Sequence, residues 1–337
     1  MRTIDVHLEV PFAISRHVRT EKRVVLLEVD DGTIVARGEA SADPYFGETS
    51  EQLERELRAA VMLLPRDPAD LGDLRARLDQ RFPHGGAASC AIDIAAHDRA
   101  AQHAGVPLRG YFGLGGREAP PTSFTIGLAS PAVMAERASL AVARGFGVLK
   151  VKLGREDDVL ILRAIRERCP AVIIRVDPNG AWTPEEAPGR IEQLATFGLE
   201  FVEQPVPPDD LAGLRAVHER SAVPIVADEA AVRVADVDRL AGCCAGINVK
   251  LQKSGGLFEA RAMVARAHAL GLKVMLGCRA AETSVGIAAA AHLAPAVEWA
   301  DLDGNLLIVD DPFVAVPVEG GRFRFSERPG LGAVARA

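Results

Sequence analysis

Over the first 40 residues two apolar runs rich in β-branched side chains stand out, one ending near Val10 and one spanning Val24 to Val29. Asp31-Gly32 follows as a turn signal and Ile34 and Val35 resume the apolar text, so the pattern predicts an antiparallel meander. Pro11 to Glu21 is polar and basic, and Ser41 to Glu48 carries a proline and a glycine; both are expected as exposed loops. From Ser50 to about Gly105 the text is helical, with an acidic first turn at Glu51, Glu54 and Glu56 and a later helix from about Ser89 closed by Gly105, with Pro107 beyond it. The first third therefore predicts a small α+β unit.

From Pro121 the pattern changes to short apolar runs separated by amphipathic segments. The runs are Phe124 to Ile126, Val148 to Val151, Val172 to Val176, Leu199 to Val202, Ile225 to Ala227, Ile247 to Val249 and Val274 to Leu276, with another before Asp301. Strand and helix in alternation predict a parallel sheet. Lys152, Asp177, Glu203, Asp228 and Lys250 follow the ends of successive runs at intervals of 25, 26, 25 and 22 residues. In a (β/α)₈ barrel the strand C-termini converge on one face, which makes neighbours of such residues, whereas a doubly wound sheet would spread them along an open edge. The tail from about Asp311 carries renewed strand-like text, Phe313 to Val318, and is expected to return to the first unit.

Composition narrows the function classes. A chain of 337 residues, 48% hydrophobic, can bury a large core. A net charge of −7 leaves no basic surplus for a phosphate backbone, so a small molecule is the expected partner and nucleic acid is not. No run reaches about 18 apolar residues and the N-terminus lacks the apolar core of a signal peptide, so the reading is a cytoplasmic protein without a membrane partner. Cys90, Cys169, Cys243, Cys244 and Cys278 have no C-x-x-C spacing and read as buried free thiols. Whether the chain forms a homo-oligomer is open at this level.

Asp177, Glu203 and Asp228 would bring three carboxylates to one barrel mouth. Hard oxygen ligands with room for water and substrate suit Mg²⁺ rather than zinc. One strand-end aspartate alone would be an ordinary helix cap; three at barrel spacing point to a metal. Lys150 and Lys152 lie two apart on a strand and so share a side, and lysines turned to the helix layer would be buried without partners, so they are expected inside the barrel. Lys250 ends a strand across the barrel from them. A neutral lysine amine is a competent base, and a nearby cation lowers its affinity for a proton.

Taken together, K-V-K at 150 to 152, D-P-N at 177 to 179, V-E-Q-P at 202 to 205, A-D-E at 227 to 229 and N-V-K-L at 248 to 251 resemble the muconate-lactonizing subgroup of the enolase superfamily. The resemblance spans nearly the whole chain. It implies an α/β fold: a modified (β/α)₇β TIM-type barrel over 118–310 and an α+β capping domain over 1–117, with 11–21 and 41–48 as lid loops and 311–337 returning to the cap. It also implies Mg²⁺ on Asp177, Glu203 and Asp228, Lys152 and Lys250 as an opposed acid/base pair with Lys150 tuning Lys152, and Asn179 at the substrate.

Asp301-Leu302-Asp303-Gly304 narrows the subgroup. Two aspartates at i and i+2 point the same way when extended and offer a socket for an ammonium group. D-x-D-G resembles the motif with which dipeptide epimerases hold the substrate's free amino group. The segment P-F-A-I-S-R-H-V-R-T-E is similar to the lid of L-Ala-D/L-Glu epimerases, which places Arg19, with Arg16 second, at an acidic substrate side chain. Gly277 to Thr283 departs from the family: it is one residue longer, and Arg279 replaces a methionine, so Arg279 becomes another candidate for the acidic group or a partner of Glu282. The implied activity is epimerisation at the C-terminal residue of a dipeptide such as L-Ala-L-Glu. Alternatives are N-acylamino acid racemase and o-succinylbenzoate synthase of the same subgroup and, from another class, a noncatalytic metal-binding barrel.

Overall fold

The computed structural model describes residues 1–336. Its N-terminal sheet has three antiparallel strands, β1 (Arg2–Ala13), β2 (Val18–Asp30) and β3 (Val35–Ser41), with β2 in the middle. Alternation along β2 sends Val24 and Leu26 to one face and Val25 and Leu27 to the other, and all four are buried because both faces are covered. The first face belongs to the core that continues into the barrel, and the second packs on helices Ser50–Ala60, Leu74–Arg81 and Ala87–His103. Helix Ala87–His103 is buried almost all round, and its small side chains let it lie against β3. The approach is close enough that a Cβ on Gly38 would sit 1.9 Å from the Ala91 carbonyl oxygen.

The hairpin arms run further than the polar pattern suggests. Phe12 pairs with Arg19 and Ala13 with Val18, so most of segment 11–21, expected as a loop, is strand, and only residues 14–17 turn. The outer part of the arm buries Phe12 alone among exposed or half-exposed neighbours, so no sustained apolar alternation marks it. In segment 41–48, Ser41 ends β3 and Pro44–Phe46 form a single 3₁₀ turn capped by the Asp43 carboxylate.

Eight parallel strands follow: β4 (Phe124–Ile126), β5 (Val148–Lys152), β6 (Ile173–Asp177), β7 (Leu199–Glu203), β8 (Ile225–Ala227), β9 (Gly246–Lys250), β10 (Lys273–Gly277) and β11 (Trp299–Asp301). They pair in sequence order, with helical crossovers between successive strands and a 3₁₀ turn after the last, which is the barrel that the spacing predicts in the (β/α)₇β form that the resemblance implies. The seam between β11 and β4 is narrow, a bridge between Thr122 and Ala300 backed by the Ser123 amide donating to the Ala300 carbonyl at 3.0 Å. Register aligns the strand ends, pairing Lys152 with Asp177 and Gly277 with both Lys250 and Asp301. Phe201, Val226, Met275 and Trp299 plug the barrel interior. Arg175 lies over Phe201 and is paired with Glu200.

The tail forms two short ladders, Phe313–Val314 with Val334–Ala335 and Val318–Glu319 with Arg322–Phe323. It reaches the first unit where the Leu331 amide donates to Asp98 and Arg37 donates to the Ala333 carbonyl.

Glu39 on β3 joins sheet to barrel: its carboxylate accepts the Thr283 and Gly286 amides and the Thr283 hydroxyl at the start of helix Ser284–Leu293. Burial, then the nearby Glu282, pushes Glu39 up to about 8. A folded-state value above the unfolded carboxyl's means that the native chain binds the extra proton between about pH 4.5 and 8, so stability falls as pH rises through that window. Melting temperatures from pH 5 to 8.5 are expected to fall less steeply in Glu39→Gln than in the parent, and equal slopes would refute this account.

Candidate active site

Asp177, Glu203 and Asp228 end β6, β7 and β8, and each offers a carboxylate oxygen within 4.8 Å of the others. All three are buried. Their neighbours are ammonium groups. Lys152 Nζ donates to Asp177 Oδ2 at 2.6 Å, Lys250 Nζ lies 2.7 Å from Asp228 Oδ2, and Lys150 Nζ donates to Glu203 Oε1 and Asp301 Oδ2 at 2.9 Å each. The second Glu203 oxygen, Oε2, faces Lys150 at 2.7 Å but receives no hydrogen bond.

The electrostatics follow from packing acids and amines in a dry mouth. Burial, then the charge of Asp177, pushes Glu203 up to about 8. Burial acts to neutralise Lys150, but Asp301, Glu203 and Asp177 outweigh it and hold Lys150 charged. Lys250 is raised in the same way, chiefly by Asp228 against its burial. An orphaned buried carboxylate oxygen among three hard donors is the setting in which a divalent cation fits.

The ring order fixes the relation of the two lysines. Lys152 is on β5 and Lys250 on β9, and three strands separate them whichever way the ring is followed. One intervening set, β6 to β8, carries the three acids; the other, β10, β11 and β4, carries Asp301 with Ser123 and Thr125 beside it. Asp303 accepts the Thr125 amide at 2.6 Å and its hydroxyl at 3.2 Å, and burial followed by the charge of Asp301 pushes it up to about 7. Burial pushes Asp301 up as well, but Lys150 and Ser123 outweigh it and hold it below the usual range. Both aspartates line the cavity together with Lys150, Lys152 and Lys250.

Asn179, in a left-handed conformation with φ 53°, donates to Asp177 Oδ2 at 3.2 Å and to Glu229 at 3.4 Å, which leaves its Oδ1 unpartnered at the cavity wall. The arginines are placed differently from one another. Arg16 pairs with Glu229 and lies over Tyr45, and Arg19 pairs with Asp43 at 3.2 Å. Arg279 does not pair with the Glu282 carboxylate through its side chain: Glu282 takes the Arg279 backbone amide, while the guanidinium donates to Glu48 and the Ser41 carbonyl of the N-terminal sheet.

Sequence reasoning missed Lys253, Glu229 and Lys22. Lys253 is buried and donates to Asp228 Oδ1 at 2.8 Å and to the Asn248 carbonyl at 2.9 Å. The K-L-Q-K spacing from Lys250 would reveal it once the segment is known to be a single helical turn. Glu229 follows Asp228 directly and is legible only as its neighbour in A-D-E. Lys22 sits inside a strand pattern that looks like surface.

Residues 1–113 match the mandelate racemase/muconate lactonizing enzyme N-terminal domain and residues 133–336 the enolase C-terminal domain-like family. The chain belongs to the enolase superfamily. Within it, the chain is similar to dipeptide epimerases. L-Ala-D/L-Glu epimerase of Bacteroides thetaiotaomicron is 39% identical over 98% of this chain and 86% of its own length. The dipeptide epimerase of Enterococcus faecalis, solved with Mg and L-Leu-L-Tyr, superposes with a TM-score of 0.94 at 33% identity, covering 98% of this chain and 97% of that one. A substrate-liganded L-Ala-D/L-Glu epimerase of Bacillus subtilis gives a TM-score of 0.94 at 31% identity over 100% and 98% of the two chains.

Proposed function

We propose that this protein is a Mg²⁺-dependent dipeptide epimerase, an isomerase that moves the α-proton of the C-terminal residue of a dipeptide such as L-Ala-L-Glu from one face to the other. The observation that carries the reading is the ring arrangement: amines on β5 and β9, metal-type acids on the strands between them on one side, and paired aspartates on the other. Asp177, Glu203 and Asp228 would hold the ion. When bound, the ion supplies Lewis-acid stabilisation to the carboxylate oxygens on which charge develops as the proton leaves.

The chain's own groups do the rest. One of Lys152 and Lys250 takes the α-proton and the other delivers a proton to the opposite face. Lys150, held charged by three carboxylates, is the neighbouring cation of Lys152. Asp301 and Asp303 receive the free ammonium group, and Asn179 faces the substrate from the metal side. The cap over 1–117 closes the mouth with segments 11–21 and 41–48, the barrel over 118–310 carries the proton chemistry, and 311–337 ties the two together. No helix among the described residues is long and apolar enough to cross a membrane, and the five cysteines are buried and unpaired, which suits a reducing cytoplasm.

The test is a dipeptide library incubated with Mg²⁺ in deuterated water and read by mass shift. Incorporation of one deuterium into free-amino dipeptides is expected. Asp301→Asn is expected to lower their exchange by about tenfold or more relative to N-acyl analogues, because it removes the charge facing the ammonium group. Absence of exchange into any dipeptide would overturn the function, and equal losses for both substrate classes would remove the socket role.

A further inference from the structure

Lys22 is a buried cation without an anion. It continues the face of β2 that carries Val24 and Leu26 and packs toward the barrel, so its side chain enters the protein instead of solvent. Its ammonium makes one hydrogen bond, to the Ala280 carbonyl at 3.1 Å. Among the described residues no carboxylate oxygen lies within 4.0 Å of it. Burial, then the charge of Arg279, lowers its pKa to about 8, so it is still largely protonated at neutral pH with two N–H donors to spare.

The neighbouring charges do not supply what is missing. Asp43 is paired with Arg19, and Glu48 with Arg279. Glu282 is turned to the Arg279 backbone amide, and burial pushes its carboxyl toward the neutral form. Arg279 is itself only partly satisfied, since its Nε and Nη2 have no hydrogen-bond acceptor. The wall thus holds Arg19, Lys22 and Arg279 against Asp43 and Glu48, and the uncompensated charge falls at Lys22. A buried ammonium without a counter-charge is costly, which is the mark of a site completed by a ligand.

Lys22 and Arg279 line the same cavity as Lys152, Lys250 and Asp303. On the dipeptide reading, the substrate's α-carboxylate lies toward the three acids and its ammonium toward Asp301 and Asp303. The remaining substituent on the reacting carbon is the second residue's side chain, and the cap is the element left to meet it. We propose that Lys22, flanked by Arg279, is the specificity-determining anchor for a carboxylate on that side chain, which makes dipeptides with an acidic C-terminal residue the preferred substrates. Arg19, already neutralised by Asp43, is secondary. The inference rests on the epimerase reading and refines it.

The experiment compares L-Ala-L-Glu with its neutral isostere L-Ala-L-Gln by α-deuterium incorporation in the Mg²⁺-loaded parent, Lys22→Met, Lys22→Arg and Arg19→Met. The parent is expected to favour Glu over Gln in kcat/KM by about tenfold or more. Lys22→Met is expected to lower kcat/KM for the Glu substrate about 100-fold, mainly through KM, and to abolish the preference, while Lys22→Arg keeps it. The loss of preference in Lys22→Met should exceed that in Arg19→Met by about tenfold. A parent that turns over both substrates without preferring Glu, or a Lys22→Met enzyme that keeps the preference or loses both substrates in equal proportion, overturns the anchor while the epimerase reading stands. A parent that exchanges neither these two substrates nor any other dipeptide overturns both.

Discussion

Alanine in place of Lys152 or Lys250 is expected to cut epimerisation by about 10³-fold or more, while leaving exchange of one substrate epimer with solvent much less affected than the other. The argument is positional. The two amines stand on opposite sides of the ring, so each faces one side of a substrate α-carbon held between them. Full epimerisation needs both, and a positioned acid or base typically contributes ~10²–10⁴ in rate. Solvent exchange of one epimer needs only the amine facing its hydrogen. Each variant should therefore lose deuterium uptake mainly from one epimer, and the two variants should lose it from opposite ones. Rates of deuterium incorporation into L-Ala-L-Glu and L-Ala-D-Glu, measured separately, check this. Two variants that slow the same epimer, or neither variant slowing any exchange, would refute the opposed pair.

The second large effect is expected from removing the metal. Chelation should abolish activity, and added Mg²⁺ should restore it and raise the melting temperature. Three buried carboxylates within reach of one point repel one another, and burial, then the charge of Asp177, pushes Glu203 up to about 8. A cation bound to the native state and not to the unfolded chain stabilises by about 2.7 kcal/mol at a hundredfold excess over Kd. Glu203→Gln withdraws one charged donor and should diminish both the activity and the Mg²⁺-dependent rise in melting temperature. A melting temperature indifferent to Mg²⁺ in the parent, together with activity that survives chelation, would exclude a metal at this site.

Much of this centre is legible in the amino-acid sequence. Lys152, Asp177, Glu203, Asp228 and Lys250 terminate strands in a fold that repeats every 22–26 residues, and a repeating fold turns chain spacing into spatial neighbourhood. Asp301 and Asp303 were legible because two residues along an extended chain share a direction. Lys22 was not, since its burial arises only when β2 docks on a barrel segment 258 residues away in sequence. Arg279 was visible as an oddity, but its partners Ser41 and Glu48 lie more than 230 residues earlier, beyond the reach of any local pattern. The hairpin arms around 11–21 are hidden for a different reason: backbone pairing holds them, and one buried side chain, Phe12, among exposed and half-exposed neighbours leaves no periodic trace.

The placement of Lys22 on the cap sheet and of the paired amines on barrel strands assigns two tasks to separate parts of one polypeptide. A substitution on that hairpin would therefore change which side chain is welcomed without displacing the amines that invert the stereocentre.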